Sequence, residues 1–166
     1  MRYWLMKSEP AEFSIDDLAQ APRQTAPWFG VRNYQARNFM RDDMRVGDRV
    51  FFYHSSCPEP GIAGIAEVAS HASPDATQFD RKSPYFDAKA TREAPRWFNV
   101  GVKLVAKTRL IGLDELRRHR ELAAMRVLAR GNRLSITPVE PEEWAFIATK
   151  LLAPGHSARA AASAKP

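Results

Sequence analysis

The segment WFGVRNYQARNFMR, residues 28–41, combines four aromatic rings, one glycine, two asparagines and three arginines. Gly30 predicts a turn, because glycine adopts positive φ angles without steric cost. Asn33 is suited to cap a helix, because its side-chain oxygen can accept a free backbone N–H of the first turn. The segment therefore predicts a turn that leads into a helix over about residues 34–43.

The predicted helix has an apolar face made by four residues at helical spacing: Ala36, Phe39, Met40 and Met44. Arg37 and Arg41 are four residues apart and share another face with Asn33. The N–H groups of a helix start and the forks of arginine both suit phosphate. Two interpretations stay open. Either the segment holds a planar, hydrogen-bonding ligand near a phosphate, or its aromatic rings are core and its arginines are solvated.

The composition is that of one globular domain without disulfides. The 166 residues are 45% hydrophobic and 27% charged, and this length can bury a sizeable core. Cys57 is the only cysteine, so an internal disulfide and a thiol-rich metal site are excluded, as is typical of a reducing compartment. With no signal-peptide pattern and no apolar run of about 20 residues, we expect a cytoplasmic protein that does not enter the membrane.

The charge of the chain is concentrated in one segment. The formal net charge is +6. Residues 1–91 hold 11 Lys and Arg against 12 Asp and Glu, whereas residues 92–133 hold 11 against 4. This asymmetry favours a polyanionic partner, and nucleic acid is the commonest one. A basic surface that serves only solubility is the alternative, and we interpret the run Arg117-Arg118-His119-Arg120 as a solvated helix face.

The chain predicts five or six strands and short helices without a βαβ rhythm. Strands are expected over residues 2–7, 49–54, 62–68, 97–107 and 134–137, the last ended by Pro138. Helices are expected to start at Ser14, Asn33, Gly112, Glu121 and Pro141. Residues 72–96 predict a long loop whose aromatic residues fasten it to the body, and residues 153–166 predict a disordered tail. The fold class is α+β, with a small, mostly antiparallel sheet or barrel.

Catalytic signatures are absent. The sequence has no phosphate-binding glycine loop, no zinc-protease helix and no nucleophile elbow. His54 and Cys57 stand alone, and we interpret them as structural. Lys7 and Glu9 lie close together at a strand end and leave an acid–base mechanism open. We expect no cofactor and no metal site.

Six segments together resemble the EVE domain family, which belongs to the PUA-like superfamily and is related to the YTH and ASCH domains. They lie in collinear order over about residues 2–150, at residues 3–10, 28–41, 50–55, 60–68, 95–98 and 133–139. The resemblance implies a PUA-like, mixed, mostly antiparallel β-barrel with short helices packed around it. It assigns residues 1–152 to the domain and leaves residues 153–166 as the tail.

The resemblance also implies a function. It points to a non-catalytic, monomeric module that binds nucleic acid carrying a modified base, a modified cytosine above all, in an aromatic-lined pocket. DNA and RNA both remain open. The implied binding residues are Lys7, Ser8, Trp28, Val31, Arg32, Asn33, Tyr34, Arg37, Asn38, Tyr53, His54, Arg133, Leu134 and Ser135.

We assign hypothetical roles to some of these residues. Trp28 stacks on the base, and Asn33 and Ser8 read its edge. Arg32 and Arg37 hold phosphate, and Tyr53 and His54 form the wall. The family often has Val-Gln where this chain has Ile136-Thr137, so a hydrogen-bonding amide is missing from that strand.

Two other functions stay open. ASCH relatives include small amidohydrolases that act on modified nucleosides, and Lys7, Glu9 and Thr137 would have to supply that chemistry here. The third possibility is a module that binds a small molecule or a protein and has no role with nucleic acid. Binding of that kind would respond little to salt, whereas nucleic-acid binding weakens steeply as salt rises.

Overall fold

A mixed sheet with short helices makes up the part of the chain that the computed structural model describes, residues 1–152. This architecture confirms the predicted α+β class. The strands are β1 (Tyr3–Ser8), β2 (Thr25–Pro27), β3 (Arg49–His54), β4 (Gly61–Val68), β5 (Ser73–Pro74), β6 (Phe98–Asn99), β7 (Gly101–Gly112) and β8 (Ile136–Val139). The helices are α1 (Ile15–Gln20), α2 (Tyr34–Asn38), α3 (Leu113–Arg117) and α4 (Pro141–Phe146). The tail predicted over residues 153–166 lies outside the described residues.

The main sheet has six strands in the order β2-β7-β4-β3-β1-β8, and β5 and β6 form a separate ribbon. β1 and β3 run parallel, and the other neighbours in this sheet are antiparallel. No ladder joins the edge strands β2 and β8 within the described residues, so the expected barrel is corrected to an open sheet. Both edge strands are short and contain a proline, Pro27 or Pro138, which lacks the N–H that a closing ladder needs. Pro138 therefore lies inside β8 rather than ending it.

Both faces of the sheet are buried, as the apolar run in β1 predicts. Met6 and Leu5 are fully buried on opposite faces and belong to different core clusters. α1 and α2 cover the face of Met6. α3 and the turn that follows α4 cover the face of Leu5. The sheet is thus the middle layer of the fold.

Local sequence signals set the starts of α1 and α2. The Ser14 hydroxyl accepts the backbone N–H of Asp17 at 3.1 Å, and the Asp17 carboxylate accepts the N–H of Ser14 at 2.8 Å. This is the predicted capping box. Asn33 Oδ1 accepts the N–H of Ala36 at 3.0 Å, which confirms the predicted cap of α2. A π turn, Phe39–Asp43, continues α2 to the predicted end.

The helix predicted over residues 121–129 is wrong. The chain there forms two separate 3₁₀ turns, Arg120–Leu122 and Arg126–Leu128. The prediction rested on apolar residues three apart, and three is also the period of a 3₁₀ helix. β7 also continues past the predicted end at Lys107 and stops at Gly112.

Candidate nucleic-acid interface

A pocket opens where the parallel strands β1 and β3 end. Ser8 and His54 are paired at these ends, so the chain leaves both strands at one edge of the sheet. The chain that enters β8 joins them there, because the N–H of Lys7 donates to the carbonyl of Ser135 at 2.8 Å. The pocket volume is about 510 Å³, within the roughly 300–1,000 Å³ of ligand sites. Its lining residues are Lys7, Ser8, Glu9, Glu12, Phe13, Pro27, Trp28, Phe29, Gly30, Val31, Ser55, Ser56, Tyr85, Arg133 and Ser135.

The structure brings part of the predicted site together. The predicted residues that line the pocket are Lys7, Ser8, Trp28, Val31, Arg133 and Ser135. The predicted residues outside the lining are Arg32, Asn33, Tyr34, Arg37, Asn38, Tyr53, His54 and Leu134. The binding prediction missed Glu12, Phe13, Phe29 and Tyr85, and it used Glu9 only for the enzyme alternative.

Phe29 is the exposed aromatic residue of the pocket lining, and Tyr85 and Phe13 are partly exposed. Trp28 is 6% exposed, and it packs edge-on against Phe52 in the core with ring centroids 5.3 Å apart. Phe29 is 37% exposed, and its ring lies 5.9 Å from that of Tyr85. Phe29 stands next to Trp28 in the aromatic-rich segment, and Tyr85 is one of the aromatic residues of the long loop. The sequence therefore marked both positions as aromatic residues near the expected site or in contact with the body.

Gly30 holds the long loop against the pocket. Its φ is +85°, in the left-handed region that favours glycine. A side chain at this position would meet the Tyr85 ring at 2.8 Å. The N–H of Gly30 donates to the buried carboxylate of Asp75 at 2.7 Å. The positive φ that the sequence suggests for Gly30 is therefore confirmed, and the ring of Tyr85 lies directly on it.

Arg32 fastens the same loop with its whole guanidinium group. Nε and Nη2 donate to the carbonyl of Tyr85 at 3.0 and 2.6 Å. Nη2 also reaches the Thr77 hydroxyl at 3.0 Å, and Nη1 pairs with Asp75 at 3.3 Å. Protein groups thus occupy the donors of Arg32. Its predicted contact with phosphate stays a prediction.

Lys7 places a half-buried cation in the pocket. Burial lowers the pKa of its ammonium group. This group has no hydrogen-bond or ion-pair partner among residues 1–152, although an ammonium carries three donors. The neighbouring Ser8 hydroxyl donates to the carbonyl of Phe13 at 2.6 Å. Lys7 is thus a cation that a ligand can engage.

Carboxylates and a phenol stand opposite the cation. The Tyr85 hydroxyl donates to the Glu12 carboxylate. Burial, followed by this hydrogen bond, raises the pKa of Tyr85 to about 12. The phenol therefore stays protonated at neutral pH. Glu9 and Glu12 give the pocket hydrogen-bond acceptors beside the donors of Lys7 and Arg133.

A second group of predicted residues lies on α2, outside the pocket lining. Tyr34 is 46% exposed, and its ring stacks on Trp97 with centroids 4.8 Å apart. The guanidinium of Arg37 lies 4.6 Å from the centre of the Tyr34 ring and donates to Asn38 Oδ1 at 2.8 Å. Burial and the nearby charge of Arg41 lower the pKa of Arg37. Tyr34 is thus an exposed ring braced by the partly buried Arg37 and the buried Trp97.

The remaining predicted residues have structural contacts. Tyr53 is 3% exposed in the core, and burial raises its pKa. His54 Nε2 accepts the N–H of Ile15 at 3.1 Å. Asn33 caps α2, and the N–H of Leu134 donates to Asn132 Oδ1 at 3.0 Å. Their predicted binding roles stay predictions.

Residues 1–152 contain neither a metal-ligand cluster nor a helix that could span a membrane. No group of three or more His, Cys, Asp or Glu side chains in this range is placed to hold a metal ion. The helices in the same range are all too short or too polar to cross a bilayer.

Comparison with known proteins identifies the family of the chain. The sequence model of the EVE domain matches residues 2–150. Thymocyte nuclear protein 1 of Gallus gallus is 45% identical to this chain over an alignment 163 positions long. The match covers 87% of this chain and 66% of that protein. That relative is named a nuclear protein, so it gives the expected cytoplasmic location no support.

Solved structures show the same fold. A crystal structure of a Pseudomonas syringae protein is 51% identical with a TM-score of 0.83 and covers 87% of this chain and 96% of its own. The crystal structure of human THYN1 protein in complex with 5-methylcytosine-containing DNA is 43% identical with a TM-score of 0.82. It covers 89% of this chain and 95% of its own.

Proposed function

The chain belongs to the EVE domain family, and on this premise we propose that it binds DNA carrying a modified cytosine and is not an enzyme. The human relative in complex with 5-methylcytosine-containing DNA supports this proposal. The observation that carries it to particular residues is the pocket at the ends of β1 and β3, where accessible aromatic rings lie beside a cation without a partner.

In this proposal the modified base leaves the helix stack and enters the pocket. A protein cannot surround a base that is still stacked, so the nucleotide must swing out. Phe29 and Tyr85 then offer ring surface for stacking, which contributes about 1–3 kcal/mol per base. The pocket volume of about 510 Å³ leaves space for one base and part of its sugar.

The polar groups of the pocket match the edge of cytosine. Cytosine presents an amino donor at N4 and acceptors at N3 and O2. Lys7 supplies donors for the two acceptors, and Glu12 or Glu9 supplies a carboxylate for the amino group. A methyl group at C5 meets the apolar side of the pocket, at Phe13 and Val31.

Nucleotides beside the flipped base have a second surface to contact. Tyr34 offers an exposed ring that is already braced on Trp97. The guanidinium of Arg37 lies beside it and donates to Asn38 Oδ1 and to the carbonyl of Arg96; in this proposal a phosphate oxygen replaces one of these acceptors. We therefore keep these predicted residues in the proposed interface, outside the pocket.

Phe29→Ala tests the pocket. Binding is measured by fluorescence anisotropy at fixed salt, with DNA and RNA oligonucleotides that carry 5-methylcytosine, 5-hydroxymethylcytosine, N6-methyladenine or no modification. We expect preference for a modified cytosine in DNA and a loss of about 5- to 150-fold in Phe29→Ala, the equivalent of one stacked base.

Phe86→Ala is the matched control, because Phe86 is also an exposed phenylalanine but is not part of the pocket lining. It should bind like the wild type. Equal losses in the two variants would show that Phe29 has no special contact with the base. Absence of any preference for modified cytosine would end the proposal. Trp28→Ala is less informative, because Trp28 is part of the core.

The amidohydrolase alternative is not favoured by the arrangement of its three residues. Lys7 and Glu9 line the pocket, whereas Thr137 is buried in β8 and is absent from the lining. Incubation with acylated cytidine should give no product, and steady turnover would contradict the proposed function.

A further inference from the structure

A cluster of exposed arginines lies at the same end of the sheet as the pocket. β7 ends at Gly112, which pairs with Gly61, and Gly61 pairs with His54 at the end of β3. β8 begins at Ile136, opposite Met6. The connection from β7 to β8 therefore begins and ends at the edge of the sheet where the pocket opens, and its buried residues cover the face of Leu5.

This connection is anchored by its apolar residues. Leu116, Leu122 and Met125 are almost fully buried in the core cluster that includes Leu5. The arginines of residues 117–133 are all exposed, and we call them the arginine surface: Arg117, Arg118, Arg120, Arg126, Arg130 and Arg133. The buried residues thus anchor a segment that presents six cations to solvent.

The arginine surface is not neutralised by the protein. Residues 117–133 hold six arginines and one acidic residue, Glu121. None of the ion pairs formed within residues 1–152 includes one of these arginines. Outside this segment Arg109 is paired with Glu115 at 2.6 Å, whereas Arg23 and Arg45 are in none of the ion pairs formed within residues 1–152. Unpaired guanidinium groups suit phosphate, which they can bind through two parallel hydrogen bonds.

The surroundings of the arginine surface favour nucleic acid over a membrane. Arg133 lines the pocket, so the surface is continuous with the pocket rim. A lipid-binding surface combines cations with exposed apolar side chains that enter the bilayer. None of the large exposed hydrophobic residues within the described chain lies between residues 113 and 135.

We propose that the arginine surface binds the phosphate backbone of the nucleic acid whose base enters the pocket. This inference rests on the proposed function. The pocket selects the base, and the arginine surface supplies affinity that does not depend on the modification of the base. Backbone contacts are sequence-independent and release counterions, so they determine how binding depends on salt.

The test compares two triple variants with equal loss of charge. Arg118→Gln/Arg120→Gln/Arg130→Gln changes the arginine surface. Arg23→Gln/Arg45→Gln/Lys103→Gln changes three exposed cations near the opposite end of the sheet, where Thr25, Lys103, Glu67 and Arg49 are in register. Circular dichroism and thermal melts verify that both variants are folded.

Affinities for 5-methylcytosine DNA and unmodified DNA are measured between about 50 and 200 mM salt. We expect the first variant to lose about tenfold or more for both DNAs, with their affinity ratio unchanged. The slope of log affinity against log salt should become shallower by about 3, one unit for each lost phosphate contact. The control variant should keep most of the wild-type slope.

Each other outcome has a defined meaning. Equal losses in both variants, or a change in the affinity ratio alone, would overturn the role of the arginine surface and leave the pocket proposal standing. If the first variant loses binding but the wild type shows no preference for modified DNA, the role of the arginine surface stands and the proposal that the pocket selects a modified base is overturned. Arginine-dependent binding to vesicles of phosphatidylcholine and phosphatidylserine, with none to DNA, would overturn both.

Discussion

At the scale of single residues, His54 ties the end of β3 to the start of α1. Its Nε2 accepts the N–H of Ile15 at 3.1 Å, so that nitrogen must be free of a proton. Burial lowers the pKa of His54, against the opposing influence of Asp16. The sequence alone shows only a histidine after an apolar strand, and its partner is set by the way α1 docks.

The lowered pKa of His54 predicts a pH dependence of stability. The unfolded chain binds the proton more readily, so His54 stabilises the fold above its unfolded pKa of about 6.5, and this contribution is lost as pH falls through the folded pKa. In His54→Gln, which keeps an acceptor oxygen, the fall in melting temperature between pH 8 and pH 5 should be smaller than in the wild type.

Calorimetric melts at the two pH values test this, and the difference between variant and wild type removes the effect of groups that titrate in both. His71→Gln removes an exposed imidazole and is the matched control. If His54→Gln and the wild type lose equal stability on acidification, the bond from Ile15 does not govern the titration.

At the scale of elements, the long loop is attached to the body through Trp97 and through the segment that opens α2. Arg32 donates to the Tyr85 carbonyl and the Thr77 hydroxyl, and Gly30 donates to Asp75. These contacts join residues more than 40 positions apart in the chain. Arg32 therefore holds the Tyr85 side of the pocket together with Gly30 and the hydrogen bond from the Tyr85 hydroxyl to Glu12.

Arg32→Gln should loosen the loop without unfolding the domain. Hydrogen bonds from a charged group contribute about 1.5–3 kcal/mol each, so a net local loss of about 2 kcal/mol corresponds to roughly 30-fold faster amide exchange. Hydrogen exchange followed by mass spectrometry should show this increase in peptides covering residues 75–87, while peptides from β3 and β4 stay protected.

Arg92→Gln is the control within the same loop, since its guanidinium only lies over the Phe79 ring at 4.7 Å. It should leave exchange near the wild-type rate. Uniform acceleration across the sheet in Arg32→Gln would mean that Arg32 supports the whole domain rather than the loop.

The elements that sequence reasoning predicted well are those with local causes. The capping box at Ser14, the cap at Asn33 and the strand over residues 49–54 all follow from neighbouring residues. Residues 121–129 were less predictable, because an apolar spacing of three suits an α-helix and a 3₁₀ turn alike. Barrel closure depends on pairing between distant edge strands, which no local pattern specifies.

The pocket was predictable only in part, because some of its residues are brought together by contacts between distant segments of the chain. Lys7 and Ser8 lie on β1, Ser135 directly precedes the neighbouring strand β8, and the pairing of these strands brings them together. Tyr85 reaches the pocket because of contacts with Gly30 and Arg32 that the sequence does not reveal. Trp28 is a residue type that often stacks on bases, but here it is buried in the core. Only the packing of the folded chain shows that burial.

At the scale of the whole molecule, one sheet is shared by two cores. Leu5→Ala and Met6→Ala truncate opposite faces, so each should destabilise the domain by about 2–5 kcal/mol, and unfolding should remain one cooperative transition. Urea unfolding followed by tryptophan fluorescence and by far-UV circular dichroism measures this. Val105→Ala, at a position 43% exposed on β7, should change stability by less than about 0.5 kcal/mol. Separate transitions for the two signals would show that the faces unfold independently.

The parallel pairing of β1 and β3 has a consequence for the evolution of ligand choice. The loops that leave this pair, residues 9–14 and 55–60, supply pocket residues such as Glu12, Phe13 and Ser55, but they add no rungs to the main sheet. Apart from Ser14, which caps α1, and Phe13, which packs on the core, their side chains can change without altering the pairing of the sheet. New specificities for different bases are most readily reached by exchanging these two loops together, and a library confined to them samples that variation directly.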